Sequence, residues 1–219
     1  MPSRKSVIIG ALAALALYLA YTFYKRRQIN TDQFFAPQTK TAIALQPYSG
    51  RYAGSPLVQD FIRRFPDMAR ASTGRVRSTT GLSEPPVATD IILDDTYESD
   101  PYRVPCASTT CTPVDNPTKC TVRLGAKAIA DNYRGRTKPD TILTHEMTHV
   151  FLLSHVPDHN NAPKWFIEGL PIHVAGQRDE IRRAQSLPPI SNPNYNYNPG
   201  EIHVDEYAEL ADEFYRRYQ

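Results

Sequence analysis

Residues 7 to 24, VIIGALAALALYLAYTFY, form one unbroken run of uncharged, mostly apolar positions. As a helix, eighteen such residues reach about 27 Å, close to the hydrocarbon core of a bilayer. Arg4 and Lys5 precede the run, and Lys25, Arg26 and Arg27 follow it. Tyr18, Tyr21 and Tyr24 gather at one end, as interfacial aromatics do. The pattern predicts an N-terminal transmembrane helix with basic flanks over residues 1–27. A cleaved signal peptide fits less well, because the small-x-small patterns lie inside the run and its end is bulky. The flanking charges nearly balance and leave orientation open.

Beyond this run the pattern changes character. Residues 28–54 are polar and broken by Pro37, Pro47, Gly50 and Gly54, and read as a linker. Residues 55–219 read as one folded domain. Ser55 and Pro56 suit a helix start. Leu57, Phe61, Ile62, Phe65 and Met68 then follow at helical spacing, and Pro66 predicts a kink or a division into two helices. Val87 to Leu93 reads as a strand, and Thr121 to Leu124 as another, with Ile129 as the limit of any extension. Residues 94–119 read as a loop. Thr137 or Asp140 can cap a helix from about Thr141 to Ser154. Residues 163–185 hold a further helical stretch. Residues 187–200 are rich in Pro, Asn and Tyr without periodicity, and Glu201 to Gln219 is amphipathic. Strands and helices in this mixture predict an α+β fold.

Composition adds bounds. Hydrophobic residues make up 41% of the 219, enough for a sizeable core, and the net charge of +2 gives no argument for a nucleic-acid partner. Cys106, Cys111 and Cys120 fall within fifteen residues. Their odd number and the lack of a C-x-x-C pair argue against a cysteine zinc site. A disulfide within the cluster fits an oxidising compartment; three free thiols in a loop is the competing reading. The cluster favours a domain on the extracytoplasmic side of the membrane.

The chemistry concentrates at HEMTHVFLLSH, residues 145–155. On a helix His145 and His149 lie one turn apart on one side, so both imidazoles can reach one ion. Glu146 lies about 100° round the axis, able to reach a water at the metal without being a ligand. A catalytic zinc needs a third protein ligand. His155 stands where HExxHxxGxxH places its last histidine, but Leu152 occupies the glycine position and no methionine follows to form a Met-turn. Asp158 lacks the surrounding pattern it would need. Glu168, in APKWFIEGLPIHVAG, is a carboxylate among Trp165, Phe166, Ile167 and Leu170, and needs a partner to stay charged there.

HEMTH followed by WFIEGL resembles the gluzincin branch of the zincin-like metallopeptidases. Their pattern is HExxH, eighteen or nineteen residues, then W-x-x-E-G. Val174, Ala175 and Gly176 continue the likeness, which covers roughly residues 85–219. The resemblance implies a zincin-like fold: a small twisted sheet packed on the HExxH helix, with a helical second half. It implies that His145, His149 and Glu168 bind one zinc ion and that Glu146 is the general base. It also implies an edge strand for substrate, for which Thr121 to Ala126 is the candidate. An oxyanion donor would come from Tyr195, Tyr197, His203 or Tyr207, with Tyr207 preferred at the start of the last helix. His173 would line the cleft or face solvent. Pro171 departs from the family and predicts either a kinked helix or Glu168 in its first turn. No exopeptidase G-x-M-E-N pattern is present.

The expected protein is thus a membrane-tethered, zinc-dependent metallopeptidase. It would hydrolyse a peptide or protein substrate with zinc-activated water and a glutamate base. The alternative is a non-catalytic, zinc-stabilised binding module of the same fold, which would need neither Glu146 nor an oxyanion donor.

Overall fold

The computed structural model describes residues 42–85, 87–96, 107–113, 117–130, 138–155, 162–185 and 204–218. Period-two alternation builds a four-stranded sheet. Its strands are β1 (Ile43–Leu45), β2 (Ala88–Asp94), β3 (Ala107–Thr112) and β4 (Lys119–Gly125), in the order β1-β2-β4-β3. β1, β2 and β4 run parallel, and β3 runs antiparallel to β4. Thr89, Ile91 and Leu93 of β2 are buried in register with Cys120, Val122 and Leu124 of β4. The alternate residues carry the polar face, where Asp90 pairs with Lys119 and Asp94 with Arg123. Half-exposed cations make such pairs weak contributors to stability.

The described residues form six helices: α1 (Pro56–Thr80), α2 (Ala126–Ala130), α3 (Pro139–His155), α4 (Lys164–Ala175), α5 (Arg178–Gln185) and α6 (Val204–Tyr218). The fold is α+β. α1 buries Val58, Phe61, Phe65, Met68, Ala69 and Val76 on one stripe. That stripe joins the buried sheet face and Leu143, Met147, Val150 and Phe151 of α3 in a single core. A smaller cluster of Ile172, Tyr207 and Ala211 ties α4 to α6.

Several expectations need correction. The expected linker contains β1, so the sheet begins upstream of residue 55. The expected cysteine loop contains β3, whose ASTTCT sequence hides its alternation because its inward residues are small or polar. Thr121 to Ala126 is the candidate edge strand; β4 instead has neighbours on both sides, and the edges among the described residues are β1 and the antiparallel β3. The chain after Gly125 turns into α2 rather than extending the strand. α1 runs unbroken through Pro66, which is exposed, so the carbonyl it leaves unpaired lies on the solvent side. The helical stretch 163–185 divides at Gly176, where φ is 71° and glycine's freedom ends α4. Among the described residues no helix is long and apolar enough to cross a membrane, and the run 7–24 lies outside them.

Cys111 and Cys120 face each other directly across β3 and β4 and form a disulfide. Cys106 lies outside the described residues. The bond spans nine residues of sequence. Closing so short a loop stabilises a fold by roughly 2–3 kcal/mol in the chain-entropy account. Replacing both cysteines with serine should lower the unfolding free energy by about that amount. Denaturant titration of the double variant checks this, and an unchanged midpoint would count against it.

Candidate metal centre

α3 is buried almost all round: every residue from Thr141 to Thr148 is inside. Its hydroxyls satisfy themselves locally. Thr144 donates to the Asp140 carbonyl, Thr148 to Thr144 and Ser154 to Val150. Ser72 of α1 also meets the Thr144 hydroxyl at 2.9 Å. This lets a helix with many polar side chains sit between the sheet, α1 and α4 without stranded donors.

That burial fixes His145 and His149 toward α4. His145 Nδ1 lies 2.6 Å from Gln177 Oε1. Gln177 Oε1 can only accept, so Nδ1 carries the proton and Nε2 keeps its lone pair. His145 Nε2 and His149 Nε2 are 3.1 Å apart, and Glu168 Oε2 lies 3.7 Å and 3.5 Å from them. All three donor atoms fall within 4.8 Å of one another. The Glu168 distances are too long for hydrogen bonds. Indeed Glu168 Oε2 is a buried oxygen with no hydrogen-bond partner among the described residues. Donors about 2.0–2.1 Å from a tetrahedral ion would stand about 3.3–3.4 Å apart. The observed spacings bracket that value, so these residues could hold a small metal ion.

The electrostatics agree. Burial opposes ionisation of Glu168, yet the two imidazoles hold its carboxyl far below the ordinary carboxylate range. Burial alone would lower the His149 pKa, but the Glu168 and Glu146 carboxylates raise it above its usual value. The group therefore attracts positive charge.

Glu168 is the fifth residue of α4, one turn from its start, and the helix continues through Pro171 to Ala175. The amides of Phe166 and Ile167 both use the Pro163 carbonyl, which secures the first turn. Gly169 is required by close approach: a Cβ there would lie 2.5 Å from Phe214 Cβ and 3.1 Å from the Leu210 carbonyl oxygen of α6. α6 in turn brings Tyr207 to the site. Its buried ring stands edge-on to His145, with centroids 6.3 Å apart.

Glu146 is buried beside the two histidines, and Thr109 of β3 donates to its Oε2 at 2.7 Å. His155 takes no part in this group. Its Nδ1 meets the Phe151 carbonyl at 2.9 Å and its Nε2 meets Ser83 at 3.2 Å. His173 contacts the Tyr215 hydroxyl, and partial burial lowers its pKa. Asp158, Tyr195, Tyr197 and His203 lie outside the described residues. Gln177 and Thr109 were not legible in the sequence, because neither belongs to a motif and each acts from a different element.

Comparisons with family models, with curated proteins and with solved structures found no match.

Glu168→Ala should lower metal affinity at least about 10-fold, since even indirect partners of a ligand contribute that much. His155→Ala should bind nearly as the parent does. Metal competition titrations separate the two, and the reverse result would remove Glu168 from the ligand set. Acid should release the metal through histidine. Glu168 stays ionised far below its usual range, whereas His149 gains a proton at a pH above the ordinary 6.5. Affinity should therefore be full on the alkaline side and begin to fall as pH drops through that raised value. Affinity flat down to about pH 5 would contradict this.

Proposed function

We propose that the chain is a membrane-tethered zinc metallopeptidase of gluzincin type. The observation that carries this reading is one arrangement: two imidazole nitrogens and a buried carboxylate oxygen with no hydrogen bond among the described residues converge, with Glu146 beside them. A mixed nitrogen and oxygen donor set with three protein ligands is the composition of catalytic zinc sites. When bound, zinc polarises a carbonyl and lowers the pKa of water to about 7.

The chain's own residues supply the rest. His145 is held in the ligating tautomer by Gln177. Glu146 accepts the proton of the attacking water and passes it to the leaving amine. Tyr207 is the candidate donor to the developing oxyanion, because α6 sets its ring against His145. β3, the antiparallel strand at one end of the sheet, lies beside α3, where an extended peptide would pair with it.

The disulfide supports an oxidising compartment, hence an extracytoplasmic domain. Residues 7–24 support the membrane tether by their length and flanking charges. This part of the proposal rests on sequence.

Glu146→Gln keeps the size of the side chain and an oxygen for Thr109, but removes the base. It should retain metal at parental stoichiometry and lose peptide cleavage by about 10²–10⁴-fold. The parent should lose activity to a chelator and regain it with zinc. A zinc-loaded parent that cuts nothing in a broad peptide library would leave the binding-module reading standing. A fully active, metal-loaded Glu146→Gln would remove Glu146 from the chemistry.

A further inference from the structure

Glu146 has three side-chain torsions and sits 6% exposed on a helix packed under the sheet. A general base needs its carboxylate held in one orientation, because small misplacements cost large factors in rate. α3 alone does not provide that hold. The contact that does comes from the sheet. Thr109 Oγ1 lies 2.7 Å from Glu146 Oε2 and 3.2 Å from the Glu146 carbonyl oxygen.

A hydroxyl has one proton to give. The carboxylate is closer and charged, while the carbonyl already serves the helix hydrogen-bond ladder, so the proton goes to Oε2. Thr109 is well fixed for this task. It faces inward between the buried Ala107 and Cys111, opposite Val122 of β4. Its branched Cβ restricts χ1. The Cys111–Cys120 disulfide, two residues along, fastens the same strand to β4. Sheet packing does not call for a hydroxyl here, since valine fills the same space and favours strands equally.

We propose that Thr109 is a positioning residue for proton transfer at Glu146, holding the carboxyl group from the sheet edge through both halves of the cycle. The idea rests on the peptidase reading. With Glu146 ionised, Thr109 donates to Oε2. Once the proton of the attacking water joins the other carboxyl oxygen, Oε2 remains the acceptor of the Thr109 O–H. The same hydrogen bond stays in place when that proton passes to the leaving amine. Thr109 keeps its own proton throughout, and neither state strands a buried polar group.

The test compares Thr109→Val, which removes the hydroxyl at equal volume, with Thr109→Ser, which restores it. Both should bind zinc at parental stoichiometry. With a fluorogenic peptide cleaved by the parent, Thr109→Val should lose about 10- to 100-fold in kcat with little change in KM. Thr109→Ser should recover most of that loss. A second readout does not depend on turnover. In protein labelled with ¹³C at the glutamate carboxyl, the Glu146 resonance is identified by its absence in Glu146→Gln. It should shift in Thr109→Val and return in Thr109→Ser. Should Thr109→Val not fold, Thr109→Ala replaces it in both arms. A valine variant with parental kcat and an unshifted resonance would overturn the role of Thr109 while the peptidase reading stood. A parent that cleaves nothing would instead overturn the peptidase reading, whatever the resonance does.

Discussion

A carboxylate oxygen buried without a hydrogen bond is the constraint on which the rest of this structure turns. Glu168 is only 16% exposed, and its Oε2 finds no hydrogen-bond donor among the described residues. An uncompensated buried charge costs several kcal/mol even after relaxation. Two imidazoles aimed at the same point, one tied through its far nitrogen to Gln177, offset part of that cost electrostatically but give no hydrogen bond at 3.5–3.7 Å. A shared cation would offset the rest. The three residues come from two helices, so the cation would also join α3 to α4.

The layers around the site serve this geometry. α3 lies against the buried sheet face and α1, with its hydroxyls turned back on its own carbonyls. α4 approaches with Glu168 one turn from its start, and α6 closes over Gly169 so tightly that no side chain fits there. That closure is what carries Tyr207 to His145. Gly176 stops α4 and lets Gln177 reach back to the His145 ring. On the other flank, β3 is pinned to β4 by pairing and by the disulfide, and presents Thr109 to Glu146. The donor atoms, the base and the aromatic ring thus come from three different elements, α3, α4 and α6, each held by its own packing.

Much of the centre was legible in the chain. The i, i+4 histidines state a helix and a shared ligand side at once. Glu168 stands out as acidic in an apolar stretch, and Leu152 argues against His155, whose ring the structure places on the Phe151 carbonyl instead of with His145, His149 and Glu168. The sheet was less legible. β1 has three residues, too few for an alternation to register. β3 reads as loop because its buried positions are Ala107 and Cys111, with Thr109 turned toward a helix. The identity of the edge strand followed from pairing order, which no local pattern encodes. Neither Pro66 nor Pro171 divides its helix. Each sits inside a continuous helix, because tertiary packing outweighs one missing hydrogen bond.

X-ray absorption at the metal edge of the purified, metal-loaded protein tests the central claim most directly. The account predicts one ion per chain, with a first shell of nitrogen and oxygen alone at about 2.0–2.1 Å, two imidazoles among them. A sulfur shell near 2.3 Å would place the metal on cysteine instead of His145, His149 and Glu168. That result, or a protein that takes up no metal at all, would contradict the account.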